Sequence, residues 1–97
     1  MNHYHDLADR CNDAVYKQHL LNYANARDAT KCAADYYTSN EPEDFDGNLD
    51  LFHAESKLRW AMLLEAEANE SAMWWALDFY KKRELVERAI LEDTRLG

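Results

Sequence analysis

The side chains able to do chemistry are four histidines, two cysteines and nineteen carboxylates, and their spacing decides what they could do. A di-iron helical centre needs two Glu-x-x-His pairs plus two further inward glutamates. Asp50-Leu51-Phe52-His53 approximates one such pair and has no second copy. A His and carboxylate metal protein centred on Asp50 and His53 is therefore an alternative that lacks half its ligands. His3, His5 and Asp6 could chelate zinc or nickel, but a structural zinc site wants four fixed ligands and a terminal His-x-His is commonly frayed. Cys11 and His19 have no zinc spacing. No metal and no cofactor is expected. Ser39, Ser56 and Ser71 lack a Gly-x-Ser-x-Gly elbow, and neither cysteine sits in a nucleophile's context. Gly47, alone before Gly97, cannot build a phosphate-cradling loop. The carboxylate pairs Glu65/Glu67 and Glu41/Glu43 would need a cleft that raises one pKa, which a short alanine-rich helical domain rarely provides. The expectation is a protein that binds and does not catalyse.

The elements that must carry these residues are helical. Two glycines, one proline and a Val/Ile content limited to Val15, Val86 and Ile90 leave little material for strands. The 97 residues suffice for one domain. The expected fold is all-α, a long helical hairpin or three-helix bundle completed by dimerisation, with helices over about 3–37, 49–68 and 71–94 and an acidic loop over about 38–48. The first region carries Leu7, Cys11, Ala14, Val15, Leu21, Ala29, Cys32, Ala33 and Tyr36 mainly at three-and-four spacing, as one helix or as two with a soft joint, which would lie near Asn22 to Asn25. Gln18 and Asn25 interrupt its stripe. Asp6 with Arg10 and Asp13 with Lys17 are opposite charges four apart. Pro42 and Gly47 mark the loop, and Asn48 or Asp50 can cap the helix that follows.

In the second region Leu51, Ala54, Leu58, Ala61, Ala68, Ala72, Trp75, Phe79, Val86 and Ile90 form an apolar stripe, broken by Glu65 and by Lys82 or Arg83. The polar stretch 67–71 offers Asn69 or Ser71 as the cap of a third helix. Cys11 and Cys32 on one unbroken helix would lie about 31 Å apart, so a disulfide needs a break between them; without it they read as small buried side chains in a reducing compartment. No apolar run approaches the roughly 18 residues of a membrane span, and Met1–Asp6 lack a basic start followed by an apolar core. A soluble cytoplasmic protein is expected.

Trp60–Leu64 and Ala72–Tyr80 are apolar around most of the helix circumference. Such a helix has to be covered on several sides. Trp74 and Trp75 project about 100° apart, so one can enter the chain's own core while the other meets a neighbour. Trp60, Trp74, Trp75, Phe79 and Tyr80 are therefore expected to form an interface, either in a homodimer or with a partner protein. The alternative is that a third helix of the same chain covers them.

The formal net charge of −8 repels phosphate and anionic lipid, so neither nucleic acid nor a membrane is the expected partner. Between Lys31 and Lys57 there is no basic residue, while Asp35, Glu41, Glu43, Asp44, Asp46 and Asp50, with Glu55, supply negative charge. Tyr36, Tyr37 and Phe45 lie among them. Acids interleaved with aromatic anchors suit a basic protein surface that normally holds nucleic acid, and carboxylates roughly 6 Å apart are comparable in scale to phosphate spacing. The alternative is a solvated loop with acids favouring the positive helix end. Lys81, Lys82 and Arg83 pair naturally with Asp78, Glu84 and Glu87. In general character the chain resembles phage and mobile-element antagonists of restriction or CRISPR enzymes, with no motif to transfer residues from. The expected function is thus an acidic helical protein-binding module, an inhibitor or nucleic-acid mimic, or alternatively a structural or adaptor subunit using its Trp-rich helix.

Overall fold

The computed structural model describes residues 2–96, with side chains through Glu92. Three α-helices, α1 (His3–Arg10), α2 (Ala14–Thr38) and α3 (Leu49–Leu96), are joined by short links, the second containing a 3-10 turn at Pro42–Phe45. No strand occurs among the described residues. The radius of gyration is 20.3 Å and the extents are 75 × 23 × 14 Å. A compact chain of this length would have a radius near 13 Å. The excess comes from α3, whose 48 residues form one unbroken rod.

Two boundaries differ from the sequence expectation. The break in the first region falls at Cys11–Asp13 and not at Asn22–Asn25. Asp13 caps α2 by accepting from the Val15 and Tyr16 amides at 2.9 and 3.0 Å. Asn22 instead accepts from Gln18 at 2.9 Å, and Asn25 bonds the His5 ring at 2.9 Å. With their side chains occupied by other side chains, these asparagines do not compete for the backbone, and the helix runs through them. Asp13 is accordingly a cap, not the ion-pair partner of Lys17. The second difference is the absence of any break at 67–71: Ala66, Ala68 and Ala72 surround Asn69 and Ser71 with strong helix formers, and α3 continues.

The short α1 folds back on α2. Asn2 caps it, accepting from the Tyr4 and His5 amides at 2.9 and 3.3 Å, and its own amide donates to Ala24 O at 2.9 Å and Asp28 Oδ1 at 3.1 Å. One side chain thus ends a helix and docks it. Ala8, Leu20 and Leu77, one from each helix, make the buried core, with Tyr4, Leu7, Tyr16, Leu21 and Tyr23 packed around it. Farther along, the small buried Ala26 lies where α2 meets α3, and the Thr30 hydroxyl lies 3.0 Å from Ala26 O and 3.2 Å from Ala66 O. Leu63 is the remaining buried apolar side chain among the described residues. A break does separate the cysteines, yet they form no disulfide: Cys11 is half-buried and packs against the core, Cys32 is exposed, and both are free thiols. No helix of the described residues is long and apolar enough to cross a membrane.

Asp13 is also the acceptor of the Tyr80 hydroxyl at 3.1 Å, which closes the start of α2 onto α3. The Tyr16 amide chiefly holds the Asp13 carboxyl below its ordinary value; desolvation, the next largest effect, raises it, and the Tyr80 hydroxyl and Val15 amide add to the lowering. A lowered pKa in the folded state adds stability while the group is ionised; that contribution is complete above the ordinary carboxylate range and is lost as pH falls below it. Asp13→Ala should therefore lower the melting temperature at neutral pH, with the difference narrowing toward about pH 2, as read by thermal circular dichroism. Leu20→Ala should cost about 2–5 kcal/mol in urea unfolding, against less than about 0.5 kcal/mol for Val15→Ala at an exposed site.

Candidate functional site

The acidic residues converge on one end of the rod. Glu41, Glu43, Asp44 and Asp46 sit in and around the 3-10 turn, and Asp50 lies in the first turn of α3; all are exposed. Asp46 takes a left-handed φ of 52° and Gly47 follows at 80°, reversing the chain into the Asn48 cap, whose side chain accepts from the Leu51 amide at 3.2 Å. Asp35 is exposed on the last turns of α2. None of these six carboxylates takes part in an ion pair among the described residues.

The aromatic residues interleaved with them do not project as free anchors. Phe45 lies against Phe52 with ring centroids 6.3 Å apart, and Tyr37 against Trp60 at 5.3 Å. Tyr36 lies under the Arg59 guanidinium, 3.8 Å from its ring centre. Arg59 is the organiser of this end: it bonds Glu55 at 2.8 Å, Tyr36 O at 2.9 Å and Ser39 Oγ at 3.3 Å. Asn40 adds donations to Ser56 Oγ at 2.8 Å and Phe52 O at 3.3 Å. The sequence reading missed both residues; an arginine four positions after Glu55 was the available signal for the first. Beside them an open groove of about 510 Å3 is lined by Tyr37, His53, Ser56, Lys57 and Trp60.

The Trp-rich surface lies elsewhere. From Asp50 to Phe79 α3 rises by about 44 Å, so Trp75 and Phe79 lie far from the acidic end, whereas Trp60 lies beside it on Tyr37. Trp74 turns toward α2 and rests on Tyr23 at 5.3 Å, while Trp75 remains 62% exposed. Tyr80 is half-buried, stacked on Tyr16 at 5.9 Å and near His19 at 5.2 Å. Burial and the hydrogen bond to Asp13 raise its phenol pKa.

The apolar stripe of α3 points away from α2. Residues facing the rest of the chain are Phe52, Ser56, Arg59, Leu63, Ala66, Glu70, Leu77, Tyr80 and Glu84, all buried or half-buried. On the opposite side, positions recur alternately three and four apart, the about 3.5-residue repeat of helices that pair along their length. Leu51, Leu58, Glu65, Ala72, Phe79 and Val86 occupy one set of positions (a). Ala54, Ala61, Ala68, Trp75, Lys82 and Ala89 occupy the other (d). Every one is exposed. Leu64 and Leu85 flank this line and are also exposed, at 47% and 62%.

The metal alternatives find no support in the geometry. Asp50 and His53 are exposed on α3, and among the described residues no group of three or more His, Cys, Asp or Glu side chains converges. The His5 ring is engaged at both nitrogens: the Asn2 backbone N–H donates to Nδ1 at 3.2 Å, which leaves Nε2 to donate to Asn25 Oδ1. Lys82 pairs with Asp78 and Arg83 with Glu87, as their spacing suggests. No protein family, curated protein or solved structure matches the chain.

If Arg59 holds the acidic end together, Arg59→Ala should speed amide exchange at Ser39 and Asn40 several-fold while leaving the Leu63 turn unchanged, a comparison read by hydrogen–deuterium exchange.

Proposed function

We propose that this protein is a non-enzymatic protein-binding module whose principal docking surface is the outward face of α3. The observation that carries this reading is the 3.5-residue apolar line just described, running along a helix whose other side is already packed. Isolated exposed apolar residues are ordinary on protein surfaces, but Leu58, Trp75, Phe79 and Val86, each more than half exposed, recur on one side of one helix, the pattern of a surface that another helix covers. Desolvating a Trp face of roughly 100 Å2 contributes about 2.5 kcal/mol. A structural or adaptor role follows naturally, because binding through such a line is driven by apolar burial and requires no cofactor.

A second reading rests on a different observation, the exposed and unpaired carboxylates at the hairpin end. They favour docking on a basic protein surface, including one that otherwise holds nucleic acid, and thus an inhibitor of the phage or mobile-element antagonist kind. The acids sit on the hairpin turn and the apolar line on the flank of α3, so the two can act together, α3 for assembly and the acidic end for the target.

The readings separate on salt and on position. Capture from the native cell should lose its partner with Trp75→Glu or Phe79→Glu if α3 docks it, with little dependence on salt. It should instead weaken with rising salt, and on combined Glu41→Gln, Glu43→Gln, Asp44→Asn and Asp46→Asn exchange, if the acidic end docks it. Retention of the partner by all these variants would remove both assignments.

A further inference from the structure

We propose that the outward face of α3 pairs with the same face of a second copy, antiparallel, about a two-fold axis passing between Met73 and Trp74. This rests on the reading of that face as a protein-docking surface and names its occupant. Two antiparallel helices with a 3.5-residue repeat set each a position of one against a d position of the other, so the allowed registers differ in steps of whole heptads. The residues select among them.

With the axis at Met73/Trp74, Ala72 meets Trp75 of the second copy, Ala68 meets Phe79, Ala61 meets Val86, and Leu58 meets Ala89. Each layer sets a large side chain against a small one, the arrangement that lets two helices interlock without voids. Leu51 and Ala54 face positions beyond the described side chains, and the remaining layer between described residues sets Glu65 against Lys82. These are the two charged residues on the described a and d line, and this register brings them together, with Lys82 shared between Glu65 of the second copy and its own Asp78. Shifting by one heptad in either direction leaves Glu65 facing Trp75 or Ala89, and Lys82 facing Leu58 or Ala72. A parallel pairing sets Glu65 against Glu65 and Lys82 against Lys82, like charges in the seam.

The flanking positions agree. The same axis brings exposed Leu64 beside exposed Leu85, and Lys57 beside Glu92. Residues 85–92 are all exposed, because α2 begins near Tyr80 and leaves the end of α3 projecting past it. In the pair this projecting arm lies along the Leu58–Leu64 region of the other copy. Because α2 packs on the far side of α3, it stays clear of the contact. Leu58, Leu64, Trp75, Phe79, Leu85 and Val86 are 47–69% exposed. At about 100 Å2 each they supply roughly 600 Å2 per copy, before alanines and aliphatic stems are added, near the roughly 800 Å2 per partner of a standard interface.

The test is a charge exchange across the seam, followed by analytical ultracentrifugation of the full chain. Glu65→Lys sets like charges against each other in two symmetry-related layers and should weaken the dimer about tenfold or more. Lys82→Glu should do the same. The double exchange should return the dissociation constant to within about threefold of the starting protein. Circular dichroism of each variant checks that helix content is kept. A spin label at Lys57→Cys, with Cys11→Ser and Cys32→Ser, should report a separation of about 50 Å between copies, against roughly 10–20 Å for a parallel pair. A dimer whose affinity is not restored by the double exchange, or with a short label distance, overturns this register while leaving α3 as the docking face. A chain that stays monomeric at high micromolar concentration overturns the second copy as occupant. The loss of a captured partner in Trp75→Glu then decides separately whether α3 docks another protein.

Discussion

The structure depends on a mismatch in length between helices. A rod of 48 residues is covered along one side by a 25-residue helix, onto which an 8-residue helix folds. A helix can present apolar residues to a single neighbour over only part of its circumference. Everything else apolar on α3 has to be met from outside the chain or remain in water. The small buried core, limited among described residues to Ala8, Leu20, Ala24, Ala26, Leu63 and Leu77, is the direct consequence.

Within that limit, polar stitching does much of the positioning. Asn2 ends α1 and ties it to α2, Asp13 starts α2 and receives Tyr80 from α3, and Arg59 gathers Tyr36, Ser39 and Glu55 at the hairpin end. Each serves a helix terminus whose backbone groups need partners and simultaneously reaches a second helix. These contacts fix how α1 and α2 lie against α3. They therefore also fix which side of α3 is left outward, so the polar residues at the helix ends decide the character of the apolar face.

The separation of the two candidate surfaces follows from the same geometry. On a hairpin of long helices, residues adjacent in sequence at the turn stay together, whereas those thirty positions along α3 are carried tens of ångströms away. The acids and Phe45 belong to one end; Trp75 and Phe79 belong to the flank of the rod. Charge steers encounter over distance, and apolar burial supplies contact energy. The molecule keeps these two contributions on different surfaces.

The sequence by itself determined that the chain is helical, that a turn lies at Pro42–Gly47, that acids crowd that turn, and that the second half has more apolar surface than one stripe can hold. Those properties are local: propensity, turn chemistry and composition act over a few residues. Only the tertiary structure decided that Asn22 and Asn25 stay within a helix, that Glu67–Ser71 does not interrupt α3, and that Tyr37 and Phe45 turn onto α3. It also decided that the line through Leu58, Trp75 and Phe79 faces outward. Periodicity shows which residues share a face, but nothing in one helix's pattern says which of two apolar faces its own chain will cover. That choice was made by side chains distant in sequence, Leu20 against Leu77 and Thr30 against Ala66, because contacts between helices depend on residues that no single helix's pattern contains.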